Sequence, residues 1–364
     1  MLASCANKAD STTGEIVELK YATLLSIEQR DGYRLVIVKD PWNAHSVLHK
    51  YALIDHDAAK PADIDDHTTV LRVPLRRMCV ATSVHAGLMD KLGALGSVKS
   101  VCEGKYIFNT AIKEALKAGD IKDVGSGLNP SVEMIAQLET DALLMSPFEG
   151  ASYGLLEKTG IPIIECADYM ERSALGRAEW MRFYGILAGK EREADSLFRE
   201  IVENYEELTA LAATATTRPK LLTDMLNGNI WYVPGGGSIY GTLYRDAGAD
   251  FSIADDGVSG SQPLSAEKVL ATAKDADVWI IKYSRPEDYT LAELKGENAL
   301  YNQLAPLHSG RVFGCNALKV PFYEEAPFRP DLLLRDIVCI LHPELLPGYR
   351  TVFYSALKPA LKAI

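Results

Sequence analysis

Residues 177–214 constrain the fold of this chain more than any other stretch. Between Lys190 and Ala213, apolar residues recur at steps of three and four, which places them on one face of a helix. No glycine or proline interrupts the pattern before Pro219, which cannot continue a helix. We therefore predict a single rod of about 24 residues, roughly 36 Å long. Its apolar stripe consists of Ala194, Leu197, Phe198, Ile201, Tyr205, Leu208 and Ala212.

The sequence on either side of the rod alternates short apolar runs with helical patterns. This alternation is typical of parallel sheets covered by helices. The chain has 364 residues, which is more than one average domain. We predict an N-terminal α/β lobe at 15–175 with a β-rich opening at 15–75, a connecting helix at 176–218 and a C-terminal α/β lobe at 219–364. The predicted helices of the two lobes lie at 84–92, 131–139, 152–159, 238–247, 265–273, 298–304 and 330–341. The predicted strands lie at 78–81, 98–101, 142–146, 161–164, 220–225, 230–233, 278–282 and 311–313.

The two predicted lobes repeat one local pattern. Glu133 and Glu267 each open a helix shortly after a proline, and each precedes an aspartate by eight residues, Asp141 and Asp275. A strand pattern follows in both cases. This weak internal similarity indicates two related lobes.

Composition excludes several classes of function. The formal net charge is −11 and no dense run of Lys or Arg occurs, so a nucleic-acid interface is not expected. No apolar run reaches the ~18–20 residues that cross a bilayer. The six cysteines form no C-x-x-C and no zinc-type grouping with histidine. We interpret those after Cys5 as small, mostly buried apolar residues.

Cys5 has a different setting. The run Leu2-Ala3-Ser4-Cys5 resembles a bacterial lipobox, and a polar segment follows it up to Gly14. The resemblance implies a lipid on the Cys5 thiol, with residues 1–14 as a lipoprotein tether. The alternative is a chance tetrapeptide at a cytosolic N-terminus.

Several short motifs occur in a fixed order along the chain. They are NPSVE at 129–133, LETDALL at 138–144, EW at 179–180, GKEREA at 189–194, LSAE at 264–267, DADV at 275–278, RPDLL at 329–333 and LHPE at 341–344. Together these segments resemble the motifs of substrate-binding proteins of ABC importers, of the vitamin B12 and ferric-siderophore type. The resemblance covers roughly residues 70–346, and Thr140 stands where this family usually has proline.

The resemblance implies two Rossmann-like lobes joined by a single long α-helix, with a ligand cleft between them. It implies a binding protein and not an enzyme, with no cofactor, that captures an iron-siderophore, heme or cobalamin. It also implies delivery to an ABC transporter permease, a lipid-anchored periplasmic location and a monomer. The alternatives are an enzyme or assembly subunit on a similar two-lobed scaffold, or a protein that binds bare metal ions.

The ligand of such a protein lies beyond the carboxyl ends of the strands, where aromatic rings can pack on a bulky guest and arginine can pair with anionic groups. Trp231 and Tyr232 alternate on one strand, so one of the two is expected to face a core. Arg329 precedes Pro330 and is equally explained as a helix-start residue. The candidate ligand-binding residues are Ser83, Phe148, Trp231, Tyr232, Tyr240, Tyr283, Tyr323 and Arg329.

Glu133 and Glu267 have a second implied role. In the resembled family an exposed glutamate on each lobe pairs with arginines of the permease, which would register the two lobes over a two-fold transporter. The alternative is that each glutamate only complements a helix dipole. Binding of a bare metal ion would need several convergent ligands, and the histidines are scattered. His45 and His49 are four apart, but the surrounding pattern favours strand over helix.

Overall fold

The structure, a computed structural model, describes residues 15–43, 45–150 and 152–359. The predicted tether at 1–14, with Cys5, lies outside these residues. The described chain opens with a five-stranded sheet in sequential order, which we name the accessory sheet. Its pairs are antiparallel except for the last, which is parallel. The strands are Glu15–Val17 (β1), Leu25–Arg30 (β2), Tyr33–Lys39 (β3), Val47–Asp55 (β4) and Thr69–Val73 (β5).

The first lobe follows as a parallel sheet with strand order β12-β11-β6-β7-β8. Its central strands are buried on both faces, as expected for apolar runs in a parallel sheet. The elements are Met78–Val80 (β6), Ser83–Lys91 (α1), Val98–Val101 (β7), Thr110–Ala118 (α2), Lys122–Asp123 (β8), Gly125–Ser126 (β9), Asn129–Pro130 (β10), Val132–Gln137 (α3), Ala142–Met145 (β11) and Ile163–Glu165 (β12).

Three helices lead out of the first lobe: Ala174–Glu179 (α4), Met181–Ala188 (α5) and Glu191–Ala213 (α6). The last is the predicted rod, and its 23 residues span about 34 Å. All of the predicted stripe is buried except Leu197, which is partly buried. A Cβ on Gly185 would lie 2.6 Å from the Cβ of Ala194, so glycine permits the close approach of α5 and α6.

The second lobe has three parallel strands and one antiparallel edge strand, in the order β13-β17-β18-β19. A smaller antiparallel sheet, β14-β15-β16, accompanies it. The elements are Leu221–Thr223 (β13), Leu226–Asn227 (β14), Ile230–Pro234 (β15), Ile239–Asp246 (α7), Ser261–Ser265 (β16), Ala266–Ala273 (α8), Val278–Tyr283 (β17), Leu291–Glu297 (α9), Ala305–Ser309 (α10), Val312–Asn316 (β18), Phe322–Glu325 (α11), Pro330–Leu341 (α12) and Ser355–Ala356 (β19).

Two predicted helices were wrong in type. Residues 152–159 and 298–304 form only the short 3-10 segments Leu156–Thr159 and Ala299–Gln303. The first segment is bounded by Gly154 and Gly160, both at positive φ, and the second by extended backbone at Asn298 and Leu304, so neither continues as an α-helix. The interpretation of the cysteines is confirmed, since four of the five described ones are buried and all five are free.

The accessory sheet is joined to the connecting helices through two buried carboxylates. Glu179 accepts the backbone N–H groups of residues 20–22 at 2.7–3.0 Å. Glu171 accepts those of Thr23 and Leu24, together with the indole N–H of Trp180. Five backbone donors thus find charged acceptors in a partly buried contact, where such hydrogen bonds are strong. The sheet is therefore an integral part of the connector region.

The two lobes also meet directly. The Glu324 carboxylate, on α11 of the second lobe, accepts the Phe108 N–H of the first lobe at 2.8 Å. Lys91 on α1 lies 3.3 Å from Glu325. One continuous hydrophobic cluster includes residues of the accessory sheet, both lobes and the connector. None of the described helices is long and apolar enough to cross a bilayer.

Candidate functional site

The carboxyl ends of the first-lobe strands surround a cavity of about 270 Å³. The strands β6, β7 and β11 are adjacent and parallel, so the residues that follow them share one edge of the sheet. Ser83, a predicted ligand residue, lines this cavity at the start of α1. The other lining residues are Ala81, Thr82, Cys102, Glu103, Tyr106, Gly127, Leu128 and Ser146.

A slightly larger cavity, of about 300 Å³, lies elsewhere, between the accessory sheet and the joint of α5 and α6. Its walls include the ion pair of Arg34 and Glu191, at 2.9 Å. It is remote from the strand ends of both lobes. We therefore place the candidate site at the first cavity, where the topology brings loops together.

Large apolar side chains are exposed along the carboxyl edges of both sheets. Tyr106 is 56% exposed and Tyr323 is 55% exposed, although aromatic rings in folded proteins are mostly buried. Of the predicted residues, Phe148, Tyr232 and Tyr323 are exposed, and Tyr232 lies in the middle of β15 rather than at a strand end. The exposed apolar and aromatic residues that follow the strand ends are Tyr106, Leu128, Phe148, Leu318 and Tyr323.

Trp231 does not belong to the exposed set, and its prediction as a ligand residue is corrected. It is 1% exposed and packs against Trp279 and Tyr301. Its indole N–H donates to the Thr223 carbonyl at 2.8 Å. The strand β15 alternates exposed and buried residues, so Tyr232 faces outward because Trp231 faces the core.

Arg329 is also corrected. Its guanidinium donates to both carboxylate oxygens of Asp331, at 2.9 and 2.8 Å, and lies 3.5 Å from Glu200 on α6. The hydrogen bonds that Arg329 donates to Asp331 raise the pKa of Arg329, although burial alone would lower it. The side chain therefore joins α12 to the connecting helix, and its guanidinium is already paired with carboxylates.

The remaining predicted residues of the second lobe form a tyrosine-rich edge. Tyr240 stacks on Phe322, with ring centroids 6.4 Å apart, and Tyr323 meets Phe322 edge to face. Tyr283 is half-buried, and its hydroxyl accepts the Tyr289 N–H at 3.2 Å. Phe322 is fully buried, so it anchors the rings on either side of it.

A charged pair that was not predicted from the sequence lies at this edge, and we name it the Asp224–Lys282 pair. The Lys282 ammonium lies 3.0 Å from the Asp224 carboxylate and 5.1 Å from the centroid of the Tyr240 ring. Burial alone would lower the pKa of Lys282, but Asp224 and the nearby tyrosines outweigh it and raise that pKa. The surroundings of Lys282 therefore favour its charged form. Because the predicted strand at 220–225 includes Asp224, this residue was not considered as one that follows a strand. The observed strand β13 ends one residue before it.

The backbone at Asp224 is held in an unusual conformation. Its φ angle is +60°, a left-handed value that is uncommon for residues other than glycine. The Trp279 indole donates to the Asp224 carbonyl at 2.7 Å, and the Trp231 indole donates to the carbonyl before it. Two buried tryptophans thus fix the position from which the carboxylate reaches Lys282. Such enforced conformations are found most often at functional sites.

A buried network supports the first-lobe edge. His85 Nε2 lies 2.8 Å from Asp168, which also accepts from Arg177 and Tyr184. Burial alone would raise the pKa of the Asp168 carboxyl, but His85, Arg177 and these hydrogen bonds lower that pKa to about 2. The Thr82 hydroxyl lies 2.6 Å from His85 Nδ1 and caps α1. We interpret this hydroxyl, imidazole and carboxylate as structural support, because His85 is 1% exposed.

Glu133 and Glu267 occupy equivalent positions. Each is the second residue of its helix, after a serine whose side chain accepts a backbone N–H, and each is exposed. For Glu267, hydrogen bonds from its own N–H and from Ser265 lower the pKa. One correction applies to the sequence pattern. The counterpart of Asp141 is Asp277, not Asp275, because α8 is longer than α3 by two residues.

The described residues contain no group of three or more His, Cys, Asp or Glu side chains that could hold a metal ion. His49, which the sequence left as a possible helical partner of His45, lies in the strand β4. There its imidazole bonds the Thr69 hydroxyl at 2.7 Å.

Comparison with known proteins agrees with this architecture. A heme-binding periplasmic protein of Pseudomonas aeruginosa superimposes with a TM-score of 0.57 at 18% identity, covering 78% of this chain and 99% of that one. A protein of an Fe3+-hydroxamate transport system from Saccharomonospora viridis gives a TM-score of 0.56 at 18% identity, covering 76% and 94%. At these identities the likeness establishes the two-lobed α/β fold.

Sequence comparison is more specific. An uncharacterized lipoprotein of Methanocaldococcus jannaschii is 28% identical over 320 residues, which cover 84% of this chain and 75% of the relative. The sequence profile of the family described as periplasmic binding protein matches residues 81–317. The match spans most of both lobes and the whole connector, and it begins after the accessory sheet. The chain therefore belongs to the periplasmic binding protein family.

Proposed function

We propose that this chain captures an iron-siderophore, heme or cobalamin between its lobes and delivers it to the permease of an ABC importer. The observation that carries the proposal is the row of exposed apolar and aromatic side chains on both carboxyl edges. Binding sites for bulky ligands are concave and lined by such groups, with a few oriented polar atoms among them. Thr82, Ser83 and Ser146 supply hydroxyls of that kind.

The names of similar proteins support the same class of ligand. One structural neighbour is described as heme-binding and another as part of an Fe3+-hydroxamate transport system. Relatives described as lipoproteins support an anchor at Cys5 and a location outside the cytoplasmic membrane. We further propose that the protein acts as a monomer and that Glu133 and Glu267 contact the permease.

A direct binding screen tests the proposal. The purified protein is titrated with heme, a ferric trihydroxamate, a ferric tricatecholate and cyanocobalamin, and binding is followed by absorbance and thermal shift. We expect one of these ligands to bind and to raise the melting temperature, because a ligand that binds only the folded state stabilises it.

A double variant locates the site. Phe148→Ala with Tyr323→Ala removes one exposed ring from each lobe, and we expect at least about tenfold weaker binding of that ligand. Val47→Ala is the matched control, since Val47 is similarly exposed but lies on the accessory sheet. Failure of all four ligands to bind would refute the proposed ligand class. Unchanged affinity in the double variant would refute the site.

A further inference from the structure

The charges at the two carboxyl edges bear on which ligands the proposed cleft accepts. Of the nine residues that line the first-lobe cavity, one is charged, the acidic Glu103. Lys105 beside it is exposed, with its ammonium 4.7 Å from the Tyr106 ring. The two side chains carry opposite formal charges, so this edge brings no net positive charge to a ligand.

The second-lobe edge is neutral for a different reason. Lys282 is the cation nearest the tyrosine rings, and Asp224 neutralises it at 3.0 Å. Arg285, which follows the same strand, lies 3.4 Å from Glu293 and over the Tyr289 ring. Arg329, the cation predicted from sequence, is paired with Asp331. Each of these cations already has a carboxylate partner.

A ligand with several negative charges would be poorly compensated in such a cleft. Transfer of an anion out of water costs several kcal/mol unless opposite charge and hydrogen bonds replace its hydration. The Asp224–Lys282 pair could supply that charge only by breaking its own ion pair. The pair instead presents an N–H donor and a carboxylate acceptor side by side, which matches the carbonyl acceptor and the N–H donor of an amide.

We propose, resting on the function proposed above, that the Asp224–Lys282 pair is a ligand subsite that selects uncharged ligands bearing amide groups over polyanionic ones. Neutral corrinoids, through their peripheral amides, and neutral ferric trihydroxamates of the peptide type, through their backbone amides, both carry this chemistry. Heme, with two carboxylates, and ferric tricatecholates, with three negative charges, are disfavoured.

Asp224→Asn tests the role of the carboxylate. Asparagine tolerates the left-handed conformation at this position, so the variant removes charge while keeping the backbone. It leaves Lys282 without its counter-charge and gives the cleft a net positive charge. Lys282→Met is the complementary variant, because it keeps the aliphatic stem and leaves the carboxylate alone.

The chain offers a matched control at the opposite edge of the same two strands. Lys220 and Asp275 precede β13 and β17 and lie 2.8 Å apart, whereas Asp224 and Lys282 lie at the carboxyl ends of these strands. Asp275→Asn therefore removes the same charge from the same sheet, away from the cleft. Melting temperatures of all the variants are measured first, to show that each is folded.

The four ligands of the binding screen are titrated into the wild type and the variants by calorimetry. We expect the wild type to bind cyanocobalamin or the ferric trihydroxamate at least about tenfold more tightly than heme or the tricatecholate. Asp224→Asn should shift that ratio toward the anionic ligands by about tenfold, and Asp275→Asn should leave it unchanged. Which of the two neutral ligands binds identifies the source of the amide-type groups.

Tighter binding of heme or the tricatecholate by the wild type would overturn the charge-selection proposal and leave the proposed function standing. An equal shift in Asp275→Asn would overturn the subsite, because the effect would then be a general one of net charge. Absence of binding by all four ligands would overturn the proposed function and this inference with it.

Discussion

The two lobes share a framework but differ at the edges that face each other. In each lobe a serine-capped helix with an exposed glutamate precedes a central parallel strand. In each, an aspartate before that strand accepts a backbone N–H from the start of the neighbouring one, Asp141 from Arg77 and Asp277 from Lys220. These repeated features are local and depend only on where helices and strands begin.

The carboxyl edges have different chemistry and different supports. The first-lobe edge is a hydroxyl-lined cavity held by the buried charge network around Asp168. The second-lobe edge is a row of tyrosines and an ion pair held by two indole donors. Two lobes with related local features can therefore carry different recognition groups at their edges, because loop residues are free to change.

The largest expected effect concerns a feature that the two lobes share, the exposed glutamate at a helix start. Replacing both Glu133 and Glu267 with alanine should abolish ligand transport, because the proposed docking needs both carboxylates. Ligand affinity should not change, since both side chains lie on exposed helix starts. Transport is measured in reconstituted vesicles and affinity by titration. Glu157→Ala, at an exposed first-lobe position, is the control. A variant that loses ligand affinity would argue against docking.

The next prediction compares a buried and an exposed residue on the strand β15 of the second lobe. Trp231→Ala should lower the free energy of unfolding by about 3–5 kcal/mol, because a fully buried indole and its hydrogen bond are lost. Tyr232→Ala, one residue on, should change it by only about 0.5 kcal/mol. Urea denaturation measures both. Equal losses would mean that the two residues do not face opposite sides.

A smaller effect is expected at the first-lobe edge. Asp168→Asn should lower the free energy of unfolding by about 2 kcal/mol at neutral pH. This is the free-energy equivalent of the shift of the carboxyl pKa from its ordinary value to about 2. Because the folded-state pKa is depressed, this stabilisation is full above pH ~4 and is lost as the pH falls toward 2. The wild type and the variant should therefore converge in stability at acidic pH.

Chemical denaturation between pH 2 and pH 7 measures this convergence. Asp256→Asn is the control, because Asp256 is an exposed aspartate that pairs with Arg245 at 2.7 Å. A stability gap between Asp168→Asn and the wild type that stays constant down to pH 2 would show that the network does not depend on the ionised carboxylate.

The features that sequence predicted well are those with a local cause. The rod was predicted to within one residue because its period persists over 23 residues. The helix α2 was missed although its signals are present, an Asn109 cap and a Gly119 in the left-handed conformation. In the accessory sheet, β3 and β4 contain apolar runs, but β2 and β5 have only two buried apolar residues each, separated by a polar one.

The candidate site was less predictable, because its chemistry depends on long-range pairing. Aromatic exposure at Phe148 and Tyr323 could be proposed from strand ends alone. The partner of Arg329 is two residues away, but its orientation toward α6 depends on tertiary packing. The Asp224–Lys282 pair joins residues far apart in sequence, and only strand order makes them neighbours.

The smallest expected effect concerns motion between the lobes. A chain of this length has a radius of gyration of about 21 Å when compact. We expect ligand binding to change it by less than about 1 Å, because α6 is continuous over 23 residues and the lobes already touch through Glu324 and Lys91. Small-angle scattering with and without ligand measures the change. Glu324→Ala removes the contact with Phe108 and should enlarge the ligand-induced change in the radius of gyration. Glu344→Ala should not enlarge it, because Glu344 is an exposed residue near the end of α12. Compaction of several ångströms in the wild type would mean that the lobes move independently. The Asp168 network and the two indole hydrogen bonds that hold the two edges would then have to stay intact as the lobes open and close.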